Sequence, residues 1–345
     1  MRPMKLPANQ FRRFYRGGSA IARFRGSVDT EEYVPEDWVG SATAAFGGDT
    51  DGLSRLPDGR RFRDALAADP EPFLGRAHVE RFGDDPALLV KLLDAGQRLP
   101  VHCHPSREFA RRHLDCPFGK TEAWVITEVR GTSPAVHLGF VEEVDPATLT
   151  GWVDRQETAT MLDALHRFAV APGDAVLVPA GVPHAIGEGV FLVELQEPTD
   201  FSVLLEWTGF AIDGRADGHL GLGFDLALES VDRSGWPPEA LARLRGGRRD
   251  GRGVRPGVDL LLPAEADPFF RAERLRPAAA GSVQLEQGFC ILVVVDGAGR
   301  LVTKGGGSLD LRHGDTVLLP FAAGAGAVSG RVEVIRCLPP EPQLD

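Results

Sequence analysis

GQRLPVHCH, Gly96–His104, is the stretch that decides the fold, and GKTE (Gly119–Glu122) and PAGVPH (Pro179–His184) answer it downstream. Successive side chains of a β-strand point to opposite faces, so His102 and His104 share one face and Cys103 looks the other way. Two imidazoles at i and i+2 can grip one ion. The interior of a small β-barrel can bring a carboxylate and a third imidazole to meet them. Imidazole with carboxylate suits zinc, iron, nickel or manganese, so the donor set alone leaves the metal open. The plain alternative is a pair of surface histidines on an edge strand and an unrelated turn histidine. A lone His-x-His would carry little weight in a chain with nine histidines.

The spacing adds weight. A glycine, five residues and His-x-His, followed later by Pro-x-Gly-x-x-His, resembles the two-part signature of the cupin superfamily. Pro179 and Gly181 suit a tight turn that returns the next strand, and with it His184, to the barrel. Two carboxylates compete for the fourth ligand position. Glu108 is four residues past His104, but Ser106–Arg112 reads as the start of a polar helix, where an early acid is explained by the helix dipole. Glu122 instead opens the apolar run Ala123-Trp124-Val125-Ile126, where a buried acid needs a partner. Glu122 is the preferred ligand.

KLLDAGQRLPVHCHPSREFA (Lys91–Ala110), GKTEAWVI (Gly119–Ile126) and PAGVPHAIGEGVFLVELQEPTD (Pro179–Asp200) together resemble the class I (type I) mannose-6-phosphate isomerases. So do EDWVGSA (Glu36–Ala42), the helix-like Leu56–Gly75 and the region Gly218–Asp232, in the family's order and over most of the chain. The resemblance implies a zinc ion held at His102, His104, Glu122 and His184. Histidine stands at His102 where the family has glutamine, a change that keeps a donor but can alter metal preference and Lewis acidity. The family also places an arginine on the strand after the second motif. Here that segment is Asp200-Phe201-Ser202-Val203-Leu204-Leu205-Glu206-Trp207, without a cation, and Leu204 cannot replace the lost charge beside an anionic substrate.

The 345 residues suffice for two cores, and a formal charge of −11 excludes nucleic acid as a general partner and gives no basic face for a membrane. An anionic sugar phosphate would need a local pocket of Lys or Arg. Arg12-Arg13 and Arg243–Arg252 are basic, yet such runs are usually solvated surface. The opening MRPMKLPANQFRRFYRGG lacks an apolar signal core, and no stretch nears the roughly 20 apolar residues of a membrane span. Cys103, Cys116, Cys290 and Cys337 show no CxxC spacing, so free thiols in a reducing cytoplasm are the economical reading.

An internal echo points to a mainly β protein with two cupin-type (jelly-roll) barrels. VAPGDAVLVPAGVPHAI (Val170–Ile186) returns as LRHGDTVLLPFAAGAGAV (Leu311–Val328), each a Gly-Asp turn, an apolar strand and a proline. The second copy has glycine and alanine in place of the histidine region, and His313 sits in its turn. Strands are expected over Cys290–Val295 and Val332–Leu338, two short helices over Asp145–Phe168, a helical patch over Pro237–Leu244, and a linker over Gly246–Gly257. The domains expected are a metal-binding barrel over 1–145 and 169–210, helical segments at 146–168 and 211–250, and a metal-free barrel over 251–345.

The resemblance implies interconversion of mannose 6-phosphate and fructose 6-phosphate, a proton moving between the first two carbons through an enediol. The base candidates are Glu194, Lys120 and Asp200 in that order. Lys120 is also a candidate to hold phosphate or polarise an oxygen. Gln196, on the face of Glu194, is a candidate to bind a hydroxyl. Two other readings remain open. One is a different metal-dependent cupin enzyme, an isomerase for another sugar, phosphorylated or not, or an oxygenase; the other is a sugar-binding or regulatory cupin without turnover. The oligomeric state is not legible.

Overall fold

Strands rich in apolar residues and buried on both faces build the half of the molecule that bears the motifs. Glu36–Val39, Leu89–Asp94, Val190–Gln196, Glu122–Val129 and Ala175–Val178 lie side by side in that order as one antiparallel sheet. A second sheet runs Val203–Leu204, His102–Cys103, His184–Ile186, Ala135–Phe140, Leu165–Ala169. This computed structural model describes residues 1–28, 30–247 and 255–341. The protein is mainly β and of cupin type, as the sequence leads one to expect.

Register decides which side chains meet. In the first sheet Lys91 stands opposite both Trp38 and Glu194, and Glu194 opposite Trp124. Directly opposed residues share a face, as do residues two apart, so Glu36, Lys91, Glu194 and Glu122 line one surface of the sheet. In the second sheet His102 is the cross-strand partner of His184. The sheets enclose a common apolar core that includes Leu93, Trp124, Val136, Leu138 and Ile186.

The third sheet has eight strands, dominated by the antiparallel pair Cys290–Thr303 and Gly326–Leu338. These strands run well past the apolar stretches that reveal them in sequence. Pairing of Ala298–Thr303 with Gly326–Arg331 sustains them where burial does not. Leu292, Val294, Leu301, Val317 and Val334 form its own core. Met4–Lys5 pairs with Thr316–Leu319 and ties the start of the chain to this sheet.

The echo extends to individual hydrogen bonds. Ala171 N donates to Asp174 Oδ2 at 2.9 Å and Arg312 N to Asp315 Oδ2 at 2.8 Å. Gly173 (φ +98°) and Gly314 (φ +89°) turn through the left-handed region that an L side chain avoids. Each then donates its N–H to the neighbouring strand, Gly173 to Ile126 O and Gly314 to Val294 O.

Two expectations need amendment. Helices form at Pro146–Arg155 and Thr158–Asp163, but Leu165–Ala169 is a strand paired with Ala135–Phe140. Its burial alternates from His166 on, with His166 and Phe168 half-buried and Arg167 and Ala169 exposed, a pattern masked in sequence by apolar residues that also fit a helical spacing. Most of the expected linker Gly246–Gly257 and the end of the basic run Arg243–Arg252 lie outside the described residues. The helix Pro238–Leu244 matches the patch expected there, and none of the described helices is long and apolar enough to cross a membrane.

Candidate metal centre and substrate cavity

His102, His104 and His184 converge, and His102 lines a cavity of about 660 Å³ whose wall takes side chains from both sheets. One ligand atom from each lies within 4.8 Å of the others, and the rings of His102 and His184 are 4.2 Å apart, centre to centre. Each ring is fixed by a backbone carbonyl at Nδ1: Pro100 O for His102 (2.8 Å), Phe201 O for His104 (2.7 Å) and Val182 O for His184 (2.8 Å). Those carbonyls occupy Nδ1 of each ring and leave Nε2 to face the neighbouring side chains.

Glu122 completes the cluster. Its Oε2 lies 3.0 Å from His104 Nε2 and its Oε1 3.4 Å from His184 Nε2, while Trp124 Nε1 donates to Oε1 at 2.8 Å. The Lys120 ammonium is 2.6 Å from both Glu122 Oε2 and His104 Nε2. Burial followed by neighbouring imidazoles pushes His102 well below the usual histidine range, and burial with the charge of Lys120 takes His104 to about 3. Burial alone would raise the Glu122 carboxyl, but Lys120 and His104 more than offset it and hold it well below normal. The result is neutral imidazoles at His102 and His104 and an ionised carboxylate at Glu122, the protonation states that bind a divalent cation. His184 Nε2 is fully buried and has no hydrogen-bond partner, a costly state that a metal bond would relieve.

The other sequence candidates are scattered. Glu108 stands on the surface with its side chain 80% exposed, paired to Arg112 in the helix capped by Ser106. Cys103 points into the opposite apolar cluster and its thiol is pushed up to about 12 by burial. Gln196 does not line the cavity. Its amide nitrogen donates to the carbonyls of Glu197 and Thr199, which leaves only its buried Oε1 without a hydrogen-bond partner. Asp200 does line the cavity, but Arg13 grips it with two bonds of 3.1 and 3.2 Å. Although burial would raise its pKa, Arg13 and Lys91 hold it low, so Asp200 is a structural anion and a poor base.

Glu194 is the exception among the cavity carboxylates. Burial, reinforced by the charge of Glu122, raises it to about 7 despite Lys91 at 3.5 Å. Lys91 itself is buried and sits between Glu194, Glu36 (3.7 Å) and Asp200 (3.8 Å), with Trp38 beneath it at 4.5 Å. Those three carboxylates hold its pKa above normal in spite of burial. Glu36 also accepts from the Tyr15 hydroxyl and from Trp38 Nε1.

Arg12, Arg13, Lys91, Glu36 and Tyr15 also line the cavity; by sequence Arg12-Arg13 is only a basic run of the kind usually solvated, and the other three are assigned no role. For Lys91 and Glu36 a signal exists. A single lysine within Leu89–Leu93, and an acid two residues from a buried tryptophan, need partners inside. Arg13 gives no such signal, because the strap that carries it has no regular periodicity.

A family profile described as "Mannose-6-phosphate isomerase, cupin domain" matches residues 266–339. The chain is 27% identical over 328 residues to mannose-6-phosphate isomerase ManA of Bacillus subtilis (strain 168), covering 92% of this chain and 93% of that protein. It is 25% identical over 344 residues to the mannose-6-phosphate isomerase of Streptococcus mutans, covering 96% and 97%. Among solved structures it superposes on the mannose 6-phosphate isomerase of Bacillus subtilis with a TM-score of 0.74, at 21% identity and over 98% and 99% of the two chains. A phosphomannose isomerase variant from Salmonella typhimurium gives a TM-score of 0.71 at 16% identity, over 99% and 100%. The fold, the order of the motifs and these relatives agree on a cupin-type enzyme similar over nearly its whole length to mannose-6-phosphate isomerases.

Proposed function

We propose that the chain interconverts mannose 6-phosphate and fructose 6-phosphate through an enediol, with a divalent ion, most simply zinc, held by His102, His104, Glu122 and His184. The observation that carries this reading is a carboxyl poised at about 7, Glu194, in the cavity that His102 and Glu122 of the convergent ligand cluster also line. Bound there, a divalent ion supplies Lewis-acid polarisation of the sugar's carbonyl and hydroxyl oxygens.

The rest is the work of the chain's own residues. Glu194 takes the proton from C2 of the opened sugar and returns it at C1, the task for which a base near neutrality is suited. Lys120, buried against Glu122, is placed to steady the oxygens at C1 and C2 while the hydroxyl proton passes between them. It sits at the metal end of the cavity, which favours the polarising role over a phosphate contact. Lys91 holds Glu194 and Glu36 in place, and Asp200 anchors Arg13. Leu93, Leu99 and Ile186 line the same cavity and limit water around the reacting carbons.

In this reading the chemistry is confined to the barrel of residues 1–145 and 169–210, and the barrel of residues 251–345 is scaffold. Four free cysteines fit a reducing cytoplasm. A second reading, an unphosphorylated sugar as substrate, is favoured by one observation. Lys91, Lys120 and Arg13 are each already paired to carboxylates. Incubating metal-loaded protein with mannose 6-phosphate and, separately, with mannose decides between them. Fructose 6-phosphate as product supports the first reading, and fructose alone supports the second.

A further inference from the structure

The residues lining the cavity include the cations Arg12, Arg13, Lys91 and Lys120 and the carboxylates Glu36, Glu122, Glu194, Asp200 and Asp217. Carboxylates outnumber cations, so an anionic substrate can be held only where a cation stands free of them. Arg13 is committed to Asp200, Lys91 to three carboxylates and Lys120 to Glu122. Arg12 alone among these cations has no carboxylate partner among the described residues.

Arg12 is nonetheless held. Its guanidinium carbon lies 5.4 Å from the centre of the Tyr33 ring, and Tyr33 lines the same cavity. The backbone around it is pinned: Arg13 N donates to Tyr33 O at 2.8 Å and Ala211 N to Phe14 O at 2.9 Å. Arg12 is exposed, whereas His102, Lys120 and Glu122 at the metal end are buried. A sugar whose first two carbons lie at the metal end reaches outward with its sixth.

We propose that Arg12, stacked on Tyr33, binds the distal phosphate of the substrate, supplying from the N-terminal strap the cation that the strand at Leu204 lacks. This inference rests on the isomerase reading. A guanidinium offers a planar pair of donors that matches a phosphate dianion. Stacking on an aromatic ring restricts its rotamers beforehand, so less freedom is lost on binding. A free positive charge at the mouth also draws the dianion toward an otherwise acidic cavity.

Calorimetric titration of metal-loaded wild-type, Arg12→Gln and Arg12→Lys proteins with mannose 6-phosphate and with mannose, alongside turnover, tests it. Arg12→Gln is expected to weaken the sugar phosphate by about tenfold or more, with Arg12→Lys recovering part of the loss. Affinity for mannose should shift less than about twofold, since the lost interaction is with phosphate. Turnover of mannose 6-phosphate with a Kd and KM indifferent to Arg12→Gln would overturn the Arg12 assignment alone. Arg12-dependent binding without turnover would keep the assignment and overturn the isomerase reading. No binding of the sugar phosphate by the wild type would overturn both.

Discussion

One nitrogen makes the metal assignment concrete at the residue scale. His184 Nε2 is buried without a hydrogen-bond partner, close to Glu122 and two other imidazoles. His184→Ala should abolish stoichiometric metal binding, whereas Glu108→Ala, changing a surface side chain, should leave it largely intact; metal analysis of the two purified variants checks both. A full complement of metal in the first, or none in the second, reverses the ligand assignment. Glu194 permits a two-sided prediction. As the base it must be ionised, so kcat/KM should fall as pH drops through the acid limb. That limb lies at or below about 7, because a bound cation offsets the charge of Glu122. Glu194→Gln should lower kcat by about 10²–10⁴-fold. Its folded pKa is raised from 4.5, so this carboxyl reduces stability as pH rises from 4.5 through about 7. The metal-free Gln variant should therefore match the wild type near pH 4 and exceed it at pH 8, by up to about 3 kcal/mol. Denaturant midpoints at the two pH values measure it, and an equal difference at both would remove the buried-carboxyl explanation.

Elements place these residues, and at this scale sequence and structure agree unevenly. His102, His104, Glu122 and His184 are legible because strand alternation and turn residues specify direction locally. Lys91 is written just as plainly, a lysine inside Leu89–Leu93, but its meaning depends on register with strands about 50 residues before it and 100 after it. Arg13 acts from an irregular strap, where no periodicity says which side chain turns inward. Leu165 and Phe168 fit a helical spacing, yet pairing with Ala135–Phe140 draws them into a strand. Tertiary pairing outweighed local pattern there. Lys91→Met isolates the role of register in energetic terms. It leaves Glu36, Glu194 and Asp200 close together without their shared cation, and should cost about 3–5 kcal/mol of stability. Equilibrium unfolding in denaturant reads this, and a loss under about 1 kcal/mol would mean that the carboxylates simply take up protons.

Across the whole molecule the repeat was the most legible feature. The Gly-Asp turns recur with the same Asp-to-backbone bond, and the second copy keeps the scaffold with glycine and alanine where the first has its third imidazole. What the repeat could not foretell is how the two halves join. Phe62 from the first half stacks on Phe289 of the second at 6.1 Å, and Gly75 lies so close to Phe321 that an added Cβ would meet its ring at 2.5 Å. Such contacts depend on the assembled surface, and neither side chain announces its partner. The net charge of −11 likewise says nothing of a cavity where carboxylates and cations are interleaved. The central claim is that this cavity performs metal-dependent isomerisation. Metal content and conversion of mannose 6-phosphate to fructose 6-phosphate should be measured together on purified protein, before and after chelation and after zinc is restored. The account predicts about one bound ion per chain, turnover lost on chelation and recovered with zinc. Undiminished turnover by the metal-free protein would contradict it.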